Sequence, residues 1–241
     1  MNEKLCIVIG AAKNGASRSL LSKYAHLEGP NRAVIYCADG GLHNAETLKL
    51  RPDLLIGDFD SIKQKCSHNS KAEHSKKTKA QENHETSILE SRAENVIRLP
   101  SEKDETDLFS CVLQGLKSGV EEFILIYCTG GRLDHFMGAI AILEYINMQG
   151  AEAMILDSQN QITFIKEGEV SFMKDRKYRY LSLIPLEQKL LGVNMTGVKY
   201  PLKDATILRE KGLSISNEIC GGNATISIRE GSALIIKSID S

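Results

Sequence analysis

The sequence predicts an α/β protein in two parts: an N-terminal doubly wound, mostly parallel sheet domain, then a C-terminal antiparallel β-sandwich. Three observations carry this. Up to about residue 157, short apolar runs alternate with segments of helical periodicity. Those runs are continuous rather than alternating, as strands buried on both faces of a parallel sheet should be. After about residue 158 the helical periodicity fades, and short runs punctuated by Gly192, Gly197, Gly212, Gly221, Gly222 and Gly231 follow at close intervals. The 241 residues allow one large domain or two smaller ones. The change of texture places the boundary between 1–157 and 158–241.

In the first part, strands are expected at 5–10, 33–37, 54–57, 96–99, 123–128 and 153–156. Helices are expected at 17–27, 106–117 and 134–148, the last with Phe136, Ile140, Leu143 and Ile146 at helical spacing. In the second part, strands are expected at 161–165, 178–184, 206–208, 213–219, 224–228 and 233–239. Residues 63–95 fit neither pattern. This polar stretch, rich in Lys, Glu, Ser, His and Asn, is too long for an ordinary connection and reads as a surface insertion. Its His68, His74 and His84 are irregularly spaced and read as solvated rather than metal-binding.

Composition excludes several classes. With 30 Lys+Arg against 31 Asp+Glu, the net charge of −1 argues against a nucleic-acid footprint spread over the surface. At 42% hydrophobic residues the chain is too apolar to be disordered. The first apolar run is far shorter than the ~20 residues of a membrane span and reads as a strand rather than a signal sequence. The six cysteines form no CxxC pair and read as reduced thiols, mostly in the core, so the chain is expected to be cytoplasmic.

Four motifs bear chemistry, and each follows a predicted strand or opens the helix after it, the edge where open α/β sheets bind ligands. Asp39-Gly40-Gly41 reads as a loop allowing close backbone approach, or as a plain strand-to-helix turn. Gly57-Asp58-Phe59-Asp60-Ser61, if extended, aims Asp58 and Asp60 at one spot where Mg²⁺ would offset their repulsion. The alternative is a solvated Asx-type turn. Lys103-Asp104-Glu105-Thr106-Asp107 reads as further acids of that site, or as helix capping with Asp104 at the N-cap and Asp107 as the capping-box acid. Gly130-Gly131-Arg132-Leu133-Asp134-His135 offers glycines and an arginine to phosphate oxygens, or a turn with Asp134 as N-cap. Each is weak alone. Together they describe a site for Mg²⁺ and a polyphosphate, with neither a P-loop nor a GxGxxG behind the first strand.

The ordered set DGG (39–41), GDFDS (57–61), KDxTD (103–107) and GGRxDH (130–135), followed by Ser216-Asn217-Glu218, resembles the thiamine pyrophosphokinase family over essentially the whole chain. The resemblance implies transfer of the pyrophosphoryl group of ATP to the hydroxyl of thiamine, with AMP leaving and Mg²⁺ required. It also implies a homodimer in which thiamine lies between the α/β domain of one subunit and the sandwich of the other. By motif, Asp58, Asp60 and Asp107 would hold the metal, with Arg132 beside them as a catalytic residue. Asp39, Gly40, Gly41, Asp104, Thr106, Gly131, Arg132 and Asp134 would bind ATP and its phosphates. Ser216 and Asn217 would meet the aminopyrimidine. Tyr200 would stack where relatives often carry tryptophan, a residue this chain lacks. Two alternatives are a Mg²⁺-dependent phosphohydrolase, suggested by Asp58-Phe59-Asp60, and a non-catalytic nucleotide- or thiamine-binding regulator.

Overall fold

The computed structural model describes residues 5–59, 91–100, 102 and 104–240. Asp60, Ser61, Cys66, Lys103 and most of the polar insertion, with His68, His74 and His84, lie outside the described residues.

Strands β1 (Leu5–Ile9), β2 (Val34–Ala38), β3 (Leu54–Gly57), β4 (Asn95–Arg98), β5 (Glu122–Ile126) and β6 (Glu152–Leu156) pair in parallel in the order β4-β3-β2-β1-β5-β6. The order reverses at β1, the switch point at whose carboxyl edge open α/β sheets bind ligands. Helices α1 (Arg18–Leu21), α2 (Leu42–Thr47), α3 (Asp107–Lys117) and α4 (Leu133–Met148) cover the two faces. Cys6 and Val8 pack with Cys111, Val112, Ile140 and Leu143 of α3 and α4. Their neighbours Ile7 and Ile9 pack with Leu21, Leu42 and Ala45 of α1 and α2. This double burial is why the strand sequences show no polar alternation.

The helix expected over 17–27 is only α1. Beyond Leu21 the bonds tighten to i→i+3, with Lys23 N–H donating to Leu20 O and Tyr24 N–H to Leu21 O, while the Ser22 hydroxyl bonds back to Arg18 O.

From β7 (Asn160–Met173) onward all pairing is antiparallel, through β8 (Tyr180–Pro185), β9 (Lys189–Thr196), β10 (Leu202–Leu208), β11 (Asn217–Glu218) and β12 (Asn223–Ser238). β12 pairs with β7 along its length, while its other edge carries β9 over its first half and β8 over its second. The two halves fold around one core that includes Leu183, Met195, Ile207, Ile226 and Ile235. β7 and β12 are much longer than the runs that signalled them. They bend together at Glu167-Gly168 (φ 43° and 99°) and at a register shift beside Gly231 (φ 107°), and that bend breaks the hydrophobic pattern. β9 is absent from the expected strands because Gly192 (φ 64°) disrupts its alternation, leaving Leu190, Val193 and Met195 buried at uneven spacing.

The strand expected at 213–219 shrinks to β11, and its alternation is inverted. Ser214 is buried and its hydroxyl donates to Leu183 O at 2.5 Å, while Leu213 and Ile215 are exposed. No helix among the described residues is long and apolar enough to cross a membrane.

Candidate active site

At the switch point lies a cleft of about 770 Å³. Three of the five segments around it follow parallel strands directly. After β1, Gly10 to Lys13 form one wall; after β2, Gly40 touches it; after β5, Gly130, Gly131 and Arg132 form the facing wall. The first turns of α3 and α4 complete it with Thr106, Asp107 and His135.

The glycines serve close packing. A Cβ on Gly41 would stand 2.3 Å from Ile9 O, so the 3₁₀ turn Asp39–Gly41 can sit against the end of β1 only without a side chain there. A Cβ on Gly57 would stand 2.4 Å from the Cβ of buried Asp39. The DGG turn and the end of β3 are therefore in direct contact, which brings Asp39 beside the segment that carries Asp58.

That segment is not extended as its carboxylate spacing requires. β3 ends at Gly57, and Phe59 takes a left-handed conformation (φ 59°) with its ring buried and the Arg98 guanidinium 5.4 Å from its centroid. The phenyl needs the core, so the backbone twists at Phe59 to insert it, and the two-residue alternation stops there. Asp58 is half-buried, and Asp60 lies outside the described residues.

Capping also differs from expectation. The N-cap of α3 is Thr106, whose Oγ1 accepts from Phe109 N–H at 3.2 Å, and Asp107 is the first helical residue rather than the capping-box acid. Asp104 is exposed and outside the helix. Asp107 is thus half-buried on the cleft wall, where the helix dipole favours an anion. In α4 the N-cap position is Arg132, not Asp134, and the Arg132 side chain makes no capping bond. Asp134 accepts from Arg132 Nε at 3.1 Å and from His135 N–H at 2.9 Å. The guanidinium beside it holds the Asp134 carboxyl below its ordinary range. This pair is fully exposed, so it positions Arg132 at the cleft rim without contributing much stability.

The loop after β1 carries none of the four motifs. It extends the β1–β5 pairing past the strand ends: Gly10 N–H donates to Ile126 O, Ala12 N–H to Tyr127 O and Asn14 N–H to Thr129 O. Asn44 of α2 donates to Gly10 O at 2.9 Å. Lys13 adds an exposed cation to the cleft lining. The only sequence signal for this loop is the pair Gly10 and Gly15 flanking small residues.

Tyr200, Ser216 and Asn217 stand apart, since the C-terminal strands contribute no lining residue to this cleft. Asn217 is 2% exposed, and its amide clamps the Tyr200 backbone: Oδ1 accepts from Tyr200 N–H at 3.0 Å, and Nδ2 donates to Tyr200 O at 2.8 Å. The Tyr200 ring is 58% exposed. Among the described residues, no three His, Cys, Asp or Glu groups are gathered at one metal site.

Topology and cleft define an α/β protein whose ligand site lies at the switch point of a parallel sheet, fused to an antiparallel strand unit. Family models extend this: residues 27–155 match the thiamin pyrophosphokinase catalytic domain and residues 166–233 the thiamin pyrophosphokinase vitamin B1 binding domain. The chain belongs to the thiamin pyrophosphokinase family. It is 29% identical to the thiamine pyrophosphokinase of Bacillus subtilis, over 88% of this chain and 86% of that protein. It is 23% identical to thiamin pyrophosphokinase 1 of Caenorhabditis elegans, over 97% of this chain and 89% of that one. The crystal structure of thiamine pyrophosphokinase from Bacillus subtilis superposes with a TM-score of 0.78 at 29% identity, covering 98% of this chain and 99% of that one. That of thiamin pyrophosphokinase from Geobacillus thermodenitrificans gives 0.76 at 28% identity, covering 98% of each.

Proposed function

We propose that the protein transfers the pyrophosphoryl group of ATP to the hydroxyl of thiamine, giving thiamine diphosphate and AMP. The observation that carries this reading is the convergence of Gly40, Thr106, Asp107, Gly131 and Arg132, from three of the four motifs, on one cleft. The thiamine hydroxyl oxygen attacks the β-phosphorus, the bond from that phosphorus to the α-phosphate bridging oxygen breaks, and AMP departs. Such transfer needs positioning and charge neutralisation more than covalent chemistry from the protein. Gly131 and the start of α4, whose N-cap side chain makes no capping bond, offer backbone N–H groups to phosphate oxygens. Arg132 stands at the rim to offset developing charge, and Asp39, Gly41, Asp104 and Asp134 shape the surrounding turns. Asp107, on the cleft wall, is assigned the proton of the attacking hydroxyl.

The acids fit Mg²⁺. This ion takes one or two carboxylates together with substrate phosphates and waters; Asp107 offers a hard oxygen donor on the cleft wall, and the segment after β3 offers Asp58, with Asp60 two residues further along the chain. Bound there, the ion would neutralise charge on the transferring phosphates.

Thiamine recognition is assigned to Tyr200, Ser216 and Asn217. Their separation from the cleft of their own chain fits a homodimer in which the antiparallel unit (158–241) of one subunit faces the α/β unit (1–157) of the other. Exposed Leu213, Ile215 and Tyr200 on that unit, and exposed Leu133 and Met137 beside the cleft, support this. We assign the enzyme to the cytoplasm; the four buried cysteines, all free thiols, suit a reducing compartment.

The test is incubation of purified protein with ATP, Mg²⁺ and thiamine, with products separated by chromatography and the mass of the protein measured by light scattering. Thiamine-dependent AMP and thiamine diphosphate from a dimer are expected. AMP formation indifferent to thiamine, a phosphoaspartate, or tight binding without turnover would overturn the reading.

A further inference from the structure

We propose that Asp157 is a positioning residue for the cleft, acting through Thr129 to fix the loop that presents Gly130, Gly131 and Arg132. The inference rests on the reading of that loop as the phosphate-facing wall. Asp157 follows β6 at the turn into β7 and is 2% exposed. A carboxylate so buried must be matched by donors. Its Oδ1 accepts from Gln159 N–H and Asn160 N–H, both at 2.7 Å, which closes the turn. Its Oδ2 points the other way and accepts from the Thr129 hydroxyl at 2.6 Å, while Asn160 Nδ2 reaches both oxygens at 3.2 Å.

Thr129 is itself buried, one residue before Gly130, and its carbonyl accepts from Asn14 N–H at 3.1 Å. Its hydroxyl has one proton and two acceptors within reach: Asp157 Oδ2 at 2.6 Å and Asn14 O at 3.5 Å. The shorter, charge-assisted bond takes it. Gly130 (φ 72°) then packs against the Asn14 side chain, where a Cβ would stand 2.2 Å from Asn14 Cγ. One buried carboxylate thus holds Thr129, and Thr129 holds both cleft walls in register, the loop after β1 through Asn14 and the loop after β5 through Gly130. Lys177, from the β7–β8 connection, donates to Asp157 O at 3.3 Å, so the antiparallel unit grips the same turn.

The test compares Thr129→Val, which keeps the shape but removes the O–H, Thr129→Ser, which restores it, and Asp157→Asn. The asparagine can still close the turn but presents an NH₂ donor to Thr129, so the hydroxyl loses the charge-assisted bond it donates and can only accept a neutral one. Amide hydrogen exchange is read at 130–132 in the unliganded protein, with kcat, KM for ATP and melting temperature alongside. T129V and D157N are expected to exchange faster there and to lose about tenfold or more in kcat/KM for ATP. T129S should return to within about twofold of the parent. Unchanged exchange and kinetics in T129V, even with a lowered melting temperature, would overturn the proposal, because a merely structural bond moves only stability. If the parent protein makes no thiamine diphosphate, the functional reading fails, and the exchange comparison still decides whether Asp157 orders the loop.

Discussion

Gly57→Ala tests whether Asp39 and the end of β3 form one unit. The new Cβ would lie 2.4 Å from Asp39 Cβ, 3.1 Å from its Cα and 3.2 Å from its Cγ. Carbon atoms pack at about 3.5 Å or more, so a separation of roughly 1 Å must be found. Asp39 cannot simply retreat. It is buried, and two residues on, Gly41 is pressed against Ile9 O. β3 is pinned by parallel pairing to β2 and β4, with Gly57 opposite Arg98. The overpacking is expected to cost about 1–3 kcal/mol. For a chain of this size each kcal/mol lowers the melting temperature by about 2–4 °C. A displacement of roughly 1 Å at a positioned carboxylate is also expected to lower kcat/KM by up to about a hundredfold. Differential scanning calorimetry and a coupled AMP assay read the two effects on one sample. A G57A protein with unchanged melting temperature and kcat/KM would show that the close approach is not needed, and the contact between the two motifs would lose its assigned role.

Gly138→Ala is the converse case: this glycine lies inside α4, and a methyl group on its Cα would meet nothing within 4 Å, so the change should stabilise the fold by about 0.5–1 kcal/mol. A loss of stability in chemical denaturation would contradict the open surface there. Thr106→Ala removes the N-cap of α3 and should cost about 1 kcal/mol, with Thr106→Ser recovering most of it. Equal melting temperatures for parent and T106A would refute the cap. Stability should also fall in alkali. Burial raises the Cys37, Cys111 and Cys128 thiols above their ordinary 9.0, and raises Tyr24 and Tyr178 above 10.0. The folded state keeps protons that the unfolded chain releases, so their stabilisation is complete below pH 9 and is lost as pH rises beyond it. Lys177 and Lys237, lowered by burial, act with the opposite sign below their ordinary 10.5. The urea midpoint should therefore drop above pH 9, and Cys111→Ala should reduce the slope by up to about 1.4 kcal/mol per pH unit. An identical slope in C111A would remove that thiol from the account.

Strands β1, β2, β3 and β5 were legible because burial on both faces writes itself as an unbroken apolar run, while the edge strand β4, half-buried at best, showed only in its Val96-Ile97 pair. The antiparallel half was harder because its strands bend. β9 carries Gly192 in its middle, and the bend at Glu167-Gly168 turns the two ends of β7 toward different neighbours, so no single alternation runs through either strand. Leu213-Ser214-Ile215-Ser216 shows a further reason. Its alternation is real in the sequence, but the segment turns: only Ser214 goes inside, its hydroxyl on Leu183 O, while exposed Ser216 takes a left-handed conformation (φ 57°) with its N–H on the Ser182 hydroxyl. Periodicity does not tell which face is inside, and local hydrogen bonds decided it here.

For the site, the legible residues were those with a charge or a glycine in a short repeatable motif, and the illegible ones act through the backbone. Asn14, Thr129 and Asp157 are ordinary letters in ordinary places, and each matters through a partner distant in sequence: Asn14 and Thr129 are 115 residues apart, Thr129 and Asp157 are 28 apart. Asp157 could be read as a turn residue from its position before Gln159 and Asn160, and it is one. What no local pattern states is that a carboxylate has two oxygens, and that the second one, left over by the turn, points at the loop beside the cleft. The same holds for Asn217, whose amide is engaged with the backbone of Tyr200, 17 residues earlier. In both cases a buried polar side chain satisfies its own hydrogen-bonding need by gripping a backbone segment distant in sequence, so the pairing that makes its burial tolerable also orders the segment that the proposed function assigns to ligand binding.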